Sequence, residues 1–259
     1  MCTLIVGWRV WPGVDVLVAA NRDERLDRPA APPAAAISGG VTRFTPRDLE
    51  AGGTWIGVNE HGVVAALTNR FGAGPRLASP AGLRSRGEIV DLALGATSAR
   101  EATAALAGLS PTTYAGFHCV VADSETASVV RRDGERMGVY PLAPGRLHAV
   151  TERSFGAAES ARVGFLETLL ETLSDRPEPA AADWAALLGT HVDQVSPDRR
   201  HPIDGVCVHL DPMNYGTRSA ELIRITSDRS RADWQHIAGR PCVTGLTPVG
   251  DAMRSALKW

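Results

Sequence analysis

Cys2 is the residue whose position most directly suggests chemistry. If Met1 is removed, the Cys2 thiol lies beside a free α-amine, whose reference pKa is about 7.7–8.0. An amine with that pKa can act as a general base near neutral pH, so the thiol needs no separate histidine. The alternative is that Cys2 is a small structural residue, which is a common role for a free cysteine.

A charged segment follows the second apolar run of the chain. Its residues are Asn21, Arg22, Asp23, Glu24 and Arg25. Because the first two apolar runs are predicted to form a hairpin, we expect this segment to lie beside the start of the first strand, close to Cys2. The Asp23 carboxylate would then orient the thiol or the α-amine, and Arg22 would lower the thiol pKa or bind an anionic substrate group. The alternative is a solvated charged loop.

Two hairpins near the N-terminus must position these residues. The first joins Leu4–Val10 to Val14–Ala20, and the intervening Pro12-Gly13 is typical of a type II turn. Both runs are almost continuously apolar, which predicts strands that are buried on both faces. The second hairpin joins Thr54–Val58 to Val63–Thr68.

The rest of the chain contains segregated runs of helices and strands. Residues 21–52 are predicted as a polar loop. Helices are predicted from about Leu83, after Ser98 with a capping box, over 157–173 and over Asp183–Leu188. Strands are predicted at Tyr114–Ala122, Ala127–Arg132, Met137–Leu142, Leu147–Thr151, Gly205–Leu210, Ser219–Thr226 and Trp234–Ile237. The tail from about Gly239 is expected to be irregular. This order favours an α+β fold of stacked layers in a single domain over residues 1–259.

Composition and cysteine spacing exclude several classes of protein. The 259 residues carry 27 basic and 29 acidic side chains, so a net charge of −2 gives no basic surface for nucleic acid. The four cysteines show no C-x-x-C pattern and no tight Cys/His spacing, which predicts neither a disulfide framework nor a zinc site. We found neither a signal peptide nor a membrane-spanning run, so we expect a cytoplasmic protein without membrane insertion.

Four short motifs resemble one known family. They are Met1-Cys2-Thr3-Leu4, Asn21-Arg22-Asp23-Glu24, Cys207-Val208-His209 and Tyr215-Gly216-Thr217-Arg218-Ser219. The family is the NRDE family, also called the Transport and Golgi organization protein 2 family. It is similar in turn to the N-terminal-nucleophile hydrolases, especially choloylglycine hydrolases and penicillin V acylases. This resemblance implies their four-layer αββα sandwich, in agreement with the predicted layers.

The resemblance also implies roles for seven residues. Cys2 matches the nucleophile, Asp23 its neighbouring carboxylate, and Asn69 a donor to the oxyanion of a tetrahedral intermediate. The residues assigned to substrate binding are Asn21, Arg22, Glu152 and Arg218. One position departs from the hydrolase pattern, because Thr151-Glu152 stands where those enzymes tend to have Thr-Asn. A carboxylate would repel a developing oxyanion, so Glu152 either points away or the site handles a different group.

Two hypotheses about function follow. The first is a hydrolase that cleaves a non-peptide amide or related acyl bond through Cys2, without a metal or other cofactor. The second is a small-molecule carrier that uses the same cleft, because the family is linked to haem trafficking and to lipid or acyl-CoA homeostasis. A cluster of arginines after the second strand makes an anionic small molecule a suitable ligand for either. The sequence does not determine an oligomeric state.

Overall fold

A computed structural model describes residues 2–71, 82–110, 112–134, 136–154, 160–195 and 201–259 of the chain. Within these residues the strands form two antiparallel sheets, A and B, of seven strands each. Sheet A contains β1 (Cys2–Trp8), β2 (Val14–Arg25), β10 (Arg146–Thr151), β11 (His209–Leu210), β12 (Tyr215–Thr226), β13 (Asp233–Ile237) and β14 (Thr247–Pro248). Sheet B contains β3 (Ala30–Ser38), β4 (Val41–Asp48), β5 (Ile56–Asn59), β6 (Val64–Asn69), β7 (Phe117–Ala122), β8 (Ala127–Asp133) and β9 (Arg136–Pro141).

The strand order confirms both predicted hairpins. Sheet A has the order β10-β1-β2-β12-β13-β14, with β11 paired to β12, and sheet B runs from β3 to β9 in chain order. The turn between β1 and β2 contains Gly13 at a φ of +78°, a conformation that favours glycine. Gly62 has a φ of +85° between β5 and β6.

The outer faces of both sheets are covered by helices, and six α-helices occur in the described residues. They are α1 (Gly87–Ala93), α2 (Ala99–Ala107), α3 (Ala161–Ser174), α4 (Ala181–Leu188), α5 (Val192–Val195) and α6 (Gly250–Leu257). Apolar residues of α1 and α2 pack on sheet B, and those of α3 and α4 pack on sheet A. A third core lies between the sheets, so the predicted four-layer αββα architecture is confirmed. In the described part of the chain, no helix combines the length and hydrophobicity needed to cross a bilayer.

Alternation along β1 and β2 determines which side of sheet A each residue faces. Leu4 of β1 packs between the sheets, whereas Ile5 packs under the outer helices. Both faces are therefore buried, which explains the continuous apolar runs in the sequence. The same alternation places Cys2 on the inner face, toward sheet B. It places Asp23 on the outer face, toward α3.

Three sequence-based expectations are wrong in detail. Residues 21–52 are not a loop, because β2 continues to Arg25 and is followed by β3 and β4. The tail beyond Gly239 contains β14 and α6, and Met253 of α6 is fully buried in the core between the sheets. The strand expected over Gly205–Leu210 is limited to His209–Leu210.

Candidate functional site

A cleft of about 730 Å³ lies where the first residue of β1 faces sheet B. Cys2 and Arg22 contribute to its wall from sheet A, and Asn69 contributes from the end of β6. Trp55 and Leu67 form part of its apolar surface. The cleft therefore combines one thiol, one carboxamide and an apolar wall.

Arg22 is held as a fixed positive charge beside Cys2. The two residues are direct partners in the β1–β2 register. The Arg22 side chain is only 6% exposed, with Nη2 3.3 Å from Asp48 Oδ2 and the guanidinium carbon 4.2 Å from the centre of the Trp55 ring. Burial raises the pKa of the Cys2 thiol, and both the charge of Arg22 and a hydrogen bond from the Asp23 backbone oppose that rise.

Asp23 is fixed by hydrogen bonds from β12. Thr217 Oγ1 donates to Asp23 Oδ1 at 2.7 Å, and Tyr215 donates its hydroxyl to the Asp23 carbonyl at 2.8 Å. The Val208 backbone N–H donates in turn to Thr217 Oγ1 at 2.8 Å. Burial raises the pKa of Asp23 to about 6, although nearby Arg162 and the Thr217 hydrogen bond lower it. A carboxyl group with this pKa changes its charge just below neutral pH.

Arg162 joins two buried carboxylates beneath the start of β1. Its Nη2 lies 2.5 Å from Glu152 Oε2, and its Nη1 lies 3.8 Å from Asp23 Oδ2. The Arg162 side chain is 1% exposed, and Nη1 also donates to the Gly205 carbonyl at 3.3 Å. Burial alone would lower the pKa of Arg162, but the two carboxylates raise it. This group of three residues, Asp23, Glu152 and Arg162, is called the buried charge cluster below.

Four of the seven residues singled out from the sequence border the cleft. These are Cys2, Arg22, Asp23 and Asn69. Asn69 ends β6, and its side chain forms no hydrogen bond within the described residues, so its amide can donate to a ligand. The arrangement brings a potential nucleophile and a potential oxyanion donor to one cavity.

The other three residues are not among those that line the cleft. The Asn21 amide donates to the carbonyls of Leu188 and Val206, both at 2.9 Å, because alternation turns it toward the outer helices. Glu152 is 4% exposed and its carboxylate faces Arg162, which explains how a carboxylate is accommodated at this position. Arg218 Nη2 donates to the Arg28 carbonyl at 3.0 Å.

Arg218 also occupies an irregular position in β12. Thr217 pairs with Asp23 and Ser219 pairs with Arg22, so Arg218 is an additional residue between two consecutive pairs. Such an insertion is a β-bulge. The bulge lies directly beside the buried charge cluster.

Most of the charged side chains that line the cleft are paired with a side chain of opposite charge. The cleft-lining residues include five arginines and four carboxylates. Arg28 Nε lies 2.8 Å from Asp48 Oδ2, and Arg25 forms an ion pair with Glu50. The arginine cluster noticed in the sequence is therefore mostly paired with acidic residues of the cleft itself.

Sequence reasoning missed Arg162, although one signal could have found it. Arg162, Leu166 and Leu170 are four residues apart on α3, and all three are buried. A charged residue on the apolar stripe of a helix predicts a buried partner of opposite charge. Trp55 packs against the core between the sheets and also borders the cleft.

Solved structures with a similar fold include an acylase, an acid amidase and a bile acid hydrolase. Penicillin V acylase from Agrobacterium tumefaciens has a TM-score of 0.50 at 14% identity, with 96% of this chain and 84% of that chain covered. An N-acylethanolamine-hydrolyzing acid amidase ortholog from Caenorhabditis elegans has a TM-score of 0.59 at 13% identity, covering 88% and 95%. A single-residue variant of conjugated bile acid hydrolase from Clostridium perfringens has a TM-score of 0.53 at 12% identity, covering 96% and 93%. The protein therefore has the N-terminal-nucleophile hydrolase fold.

The sequence comparisons identify a family, whereas the structural comparisons show only the fold. The family model described as Transport and Golgi organisation 2 matches residues 1–234. The Transport and Golgi organization protein 2 homolog of Bos taurus is 32% identical over 240 residues, which covers 82% of this chain and 83% of that protein. The chain therefore belongs to the Transport and Golgi organisation 2 family.

Proposed function

We propose that the protein is an amide hydrolase in which Cys2, made N-terminal by removal of Met1, is the nucleophile. The observation that carries this proposal is that Cys2, Asp23 and Asn69 border a single cleft. The N-terminal-nucleophile hydrolase fold supports the same conclusion, because β1 of this chain begins at Cys2 and presents that residue to the cleft.

The reaction would proceed in two steps. The α-amine takes the thiol proton while the sulfur attacks the substrate carbonyl carbon, and the Asn69 amide donates to the resulting oxyanion. The C–N bond then breaks, the leaving amine takes the proton from the α-ammonium, and a thioester remains. Water attacks this thioester, releasing the carboxylic acid and restoring the thiol. Loss of one oxyanion donor typically costs about 3–4 kcal/mol in the transition state.

The buried charge cluster favours the α-ammonium that forms during each step. It places two carboxylates around one guanidinium, so a further positive charge beside Cys2 is electrostatically favourable. Asp23 follows the register partner of Cys2 in β2, and its negative charge acts on the Cys2 thiol. We assign Asp23 to positioning the N-terminus rather than to proton transfer with substrate.

The cleft favours an amide with an apolar acyl group. Its wall includes Trp55, Leu67 and Met213, and its charged residues largely pair with one another. Penicillin V, conjugated bile acids and N-acylethanolamines, named for the three structural neighbours, are therefore suitable trial substrates. We further propose the cytoplasm as the location, since a reducing compartment keeps the nucleophilic thiol reduced.

Intact mass, combined with turnover of these three substrates, tests the proposal. We expect the purified protein to begin at Cys2 and to lose turnover in Cys2→Ala. Cys119→Ala is the matched control, because burial raises the pKa of the Cys119 thiol to about 12 and makes it unreactive. Full activity in a protein that retains Met1, or in Cys2→Ala, would refute the proposed mechanism.

A second candidate function is haem binding in the same cleft. Cys2 and Met213 both border the cleft, and sulfur from either residue type can ligate haem iron. Met213 is 56% exposed, so its thioether is accessible. Titration with haemin should then give a Soret band that Met213→Leu shifts or weakens. A flat titration together with Cys2-dependent turnover favours the hydrolase.

A further inference from the structure

Two histidines and two cysteines lie close together in the fold, although their spacing in the sequence matches no metal-binding motif. They are His191, Cys207, His209 and Cys242, and their potential ligand atoms all lie within 4.8 Å of one another. His191 follows α4, Cys207 lies two residues before β11, His209 is the first residue of β11, and Cys242 lies between β13 and β14. These residues are called the Cys2His2 cluster below.

The distances within the Cys2His2 cluster fit a tetrahedral zinc site. Cys207 Sγ lies 3.7 Å from Cys242 Sγ. His209 Nε2 lies 3.5 Å from Cys207 Sγ and 3.3 Å from Cys242 Sγ. With Zn–S bonds of about 2.3 Å and Zn–N bonds of about 2.05 Å, a regular tetrahedron requires an S–S distance of about 3.8 Å and an S–N distance of about 3.6 Å. The spacing of Cys207, His209 and Cys242 therefore matches that of three ligands around one ion, and a ring nitrogen of His191 lies within 4.8 Å of these three atoms.

We propose that the Cys2His2 cluster binds one zinc ion in a closed, structural site. Two thiolates and two imidazoles satisfy the preference of zinc for sulfur and nitrogen, and four protein ligands leave no open position for catalysis. On binding, each cysteine releases its thiol proton to water, so two protons leave for each ion bound. These four residues lie outside the cleft lining, and the zinc proposal does not rest on the proposed hydrolase activity.

The backbone around the Cys2His2 cluster is closely packed. A Cβ added to Gly189 would lie 3.2 Å from both the Cα and the backbone nitrogen of Cys242, so glycine permits this approach. The Cys207 N–H donates to the carbonyl of Thr190 at 2.8 Å, directly beside His191. The rings of His191 and His209 meet edge to face, with their centroids 4.7 Å apart. Three separate segments are thus brought together by contacts other than the ligand atoms themselves.

Zinc bound here would fix the position of residues 205–209, which are hydrogen-bonded to the candidate active site. Val208, between two of the ligands, donates to Thr217, which donates to Asp23. The carbonyls of Gly205 and Val206 accept from Arg162 and Asn21, respectively. The segment from 205 to 209 is therefore hydrogen-bonded to both the buried charge cluster and β2.

A disulfide between Cys207 and Cys242 is the competing arrangement. A disulfide requires the two sulfurs to lie about 2.05 Å apart, whereas they are separated by 3.7 Å. Oxidation would also leave both imidazoles without a metal. The number of reactive thiols in the denatured protein distinguishes the two arrangements.

The test measures metal on the full-length protein. Zinc is quantified by mass spectrometry after gel filtration, and the metal-depleted protein is titrated with ZnCl2 and with CoCl2. We expect one zinc ion per chain, and a Co²⁺ spectrum with a thiolate charge-transfer band and tetrahedral d–d bands. His191→Gln alters the exposed ligand, so this variant is expected to fold, and Cys242→Ser removes one thiolate. Each should lower zinc affinity by more than the roughly 10–100-fold that is typical of changes outside the ligand shell.

Two control variants show whether zinc binding depends on the Cys2His2 cluster alone. His61→Gln changes an exposed histidine in the turn between β5 and β6 and should retain full zinc content. Cys2→Ala should also retain zinc, so zinc content and turnover can be lost independently of each other. Substoichiometric zinc in the wild-type protein with no Co²⁺ charge-transfer band would overturn the proposal. Unchanged zinc affinity in both ligand variants, or two unreactive thiols in the denatured protein, would do the same.

Discussion

Replacing Arg162 with methionine removes the one guanidinium of the buried charge cluster and keeps a side chain of similar length. Arg162 Nη1 lies 3.8 Å from Asp23 Oδ2 and Nη2 lies 2.5 Å from Glu152 Oε2. At an effective dielectric constant of about 20, the attraction across 3.8 Å alone is roughly 4 kcal/mol before desolvation is considered. Breaking a buried pair by removing one partner typically destabilises a protein by about 3–5 kcal/mol, and we expect Arg162→Met to fall in that range.

The destabilisation of Arg162→Met should depend on pH in a definite direction. Arg162 lowers the pKa of Asp23, so its removal raises that pKa further above the wild-type value of about 6. A carboxyl group with a raised pKa in the folded state loses stability as pH increases through that pKa. The difference in free energy of unfolding between variant and wild type should therefore be larger at pH 8 than at pH 5.

Urea denaturation at both pH values provides the measurement. Adding Glu152→Gln to Arg162→Met should restore part of the lost stability, because one of the two unpaired carboxylates is then neutral. Arg231→Met is the matched control: this arginine is 81% exposed in its pair with Asp228, and its loss should cost less than about 1 kcal/mol. A cost below about 1 kcal/mol for Arg162→Met, or a double variant no more stable than the single one, would show that the cluster is not electrostatically coupled.

Three further changes test individual side chains. Asp23→Asn removes a negative charge that raises the pKa of the Cys2 thiol, so alkylation of Cys2 by iodoacetamide should reach its half-maximal rate at lower pH; an unchanged profile would contradict the coupling. Burial lowers the pKa of His118 to about 3, so its stabilising contribution, up to roughly 5 kcal/mol, is lost as pH falls from 6.5 toward 3. His118→Gln should therefore lose less free energy of unfolding than the wild type as pH falls over this range. An equally steep loss in the variant would show that another group is responsible. Asn21→Ala leaves two buried carbonyls without a donor and should cost about 2–4 kcal/mol in urea denaturation, with KM unchanged; an altered KM would restore Asn21 to the substrate-binding residues.

The layered fold could be predicted because its signals are local. Two continuous apolar runs around Gly13 indicate strands that are covered on both sides, and the turn requires a residue that tolerates positive φ. The Ser98 hydroxyl accepts from the Glu101 backbone, as the capping box predicts. Neither inference depends on residues distant in the chain.

The strands β3 and β4 could not be predicted in the same way. β3 lies at the edge of sheet B and contains Pro32 and Pro33, which fall in the irregular part of its pairing between Ala31 and Ala34. Proline and alanine have low strand propensity, so the sequence resembles a loop. Pairing with β4 is what makes this segment a strand, and that contact is tertiary.

From the residues alone the site was predictable only as far as hairpin register extends, whereas Asn69 followed from the family resemblance. The β1–β2 register places Cys2 beside Arg22 and near Asp23, which follows from a tight turn and residue counting. The pairing of Glu152 with Arg162 depends on the relative position of β10 and α3, which no local pattern specifies. The convergence of Cys207 with Cys242, 35 residues later, likewise requires the folded chain.

The additional residue in β12 determines which side of sheet A receives the Thr217 hydroxyl. Ile223 faces the space between the sheets, and counting back by twos would place Thr217 on that same side. The inserted Arg218 shifts the alternation by one, so Thr217 turns to the opposite side and meets Asp23. Support for Asp23 thus depends on the bulge in β12 as well as on side-chain identity. Because Thr217 and Ser219 lie opposite consecutive residues of β2, substituting or deleting Arg218 would leave the hydroxyl facing the carboxylate, whereas pairing Arg218 in a regular ladder would turn the hydroxyl away.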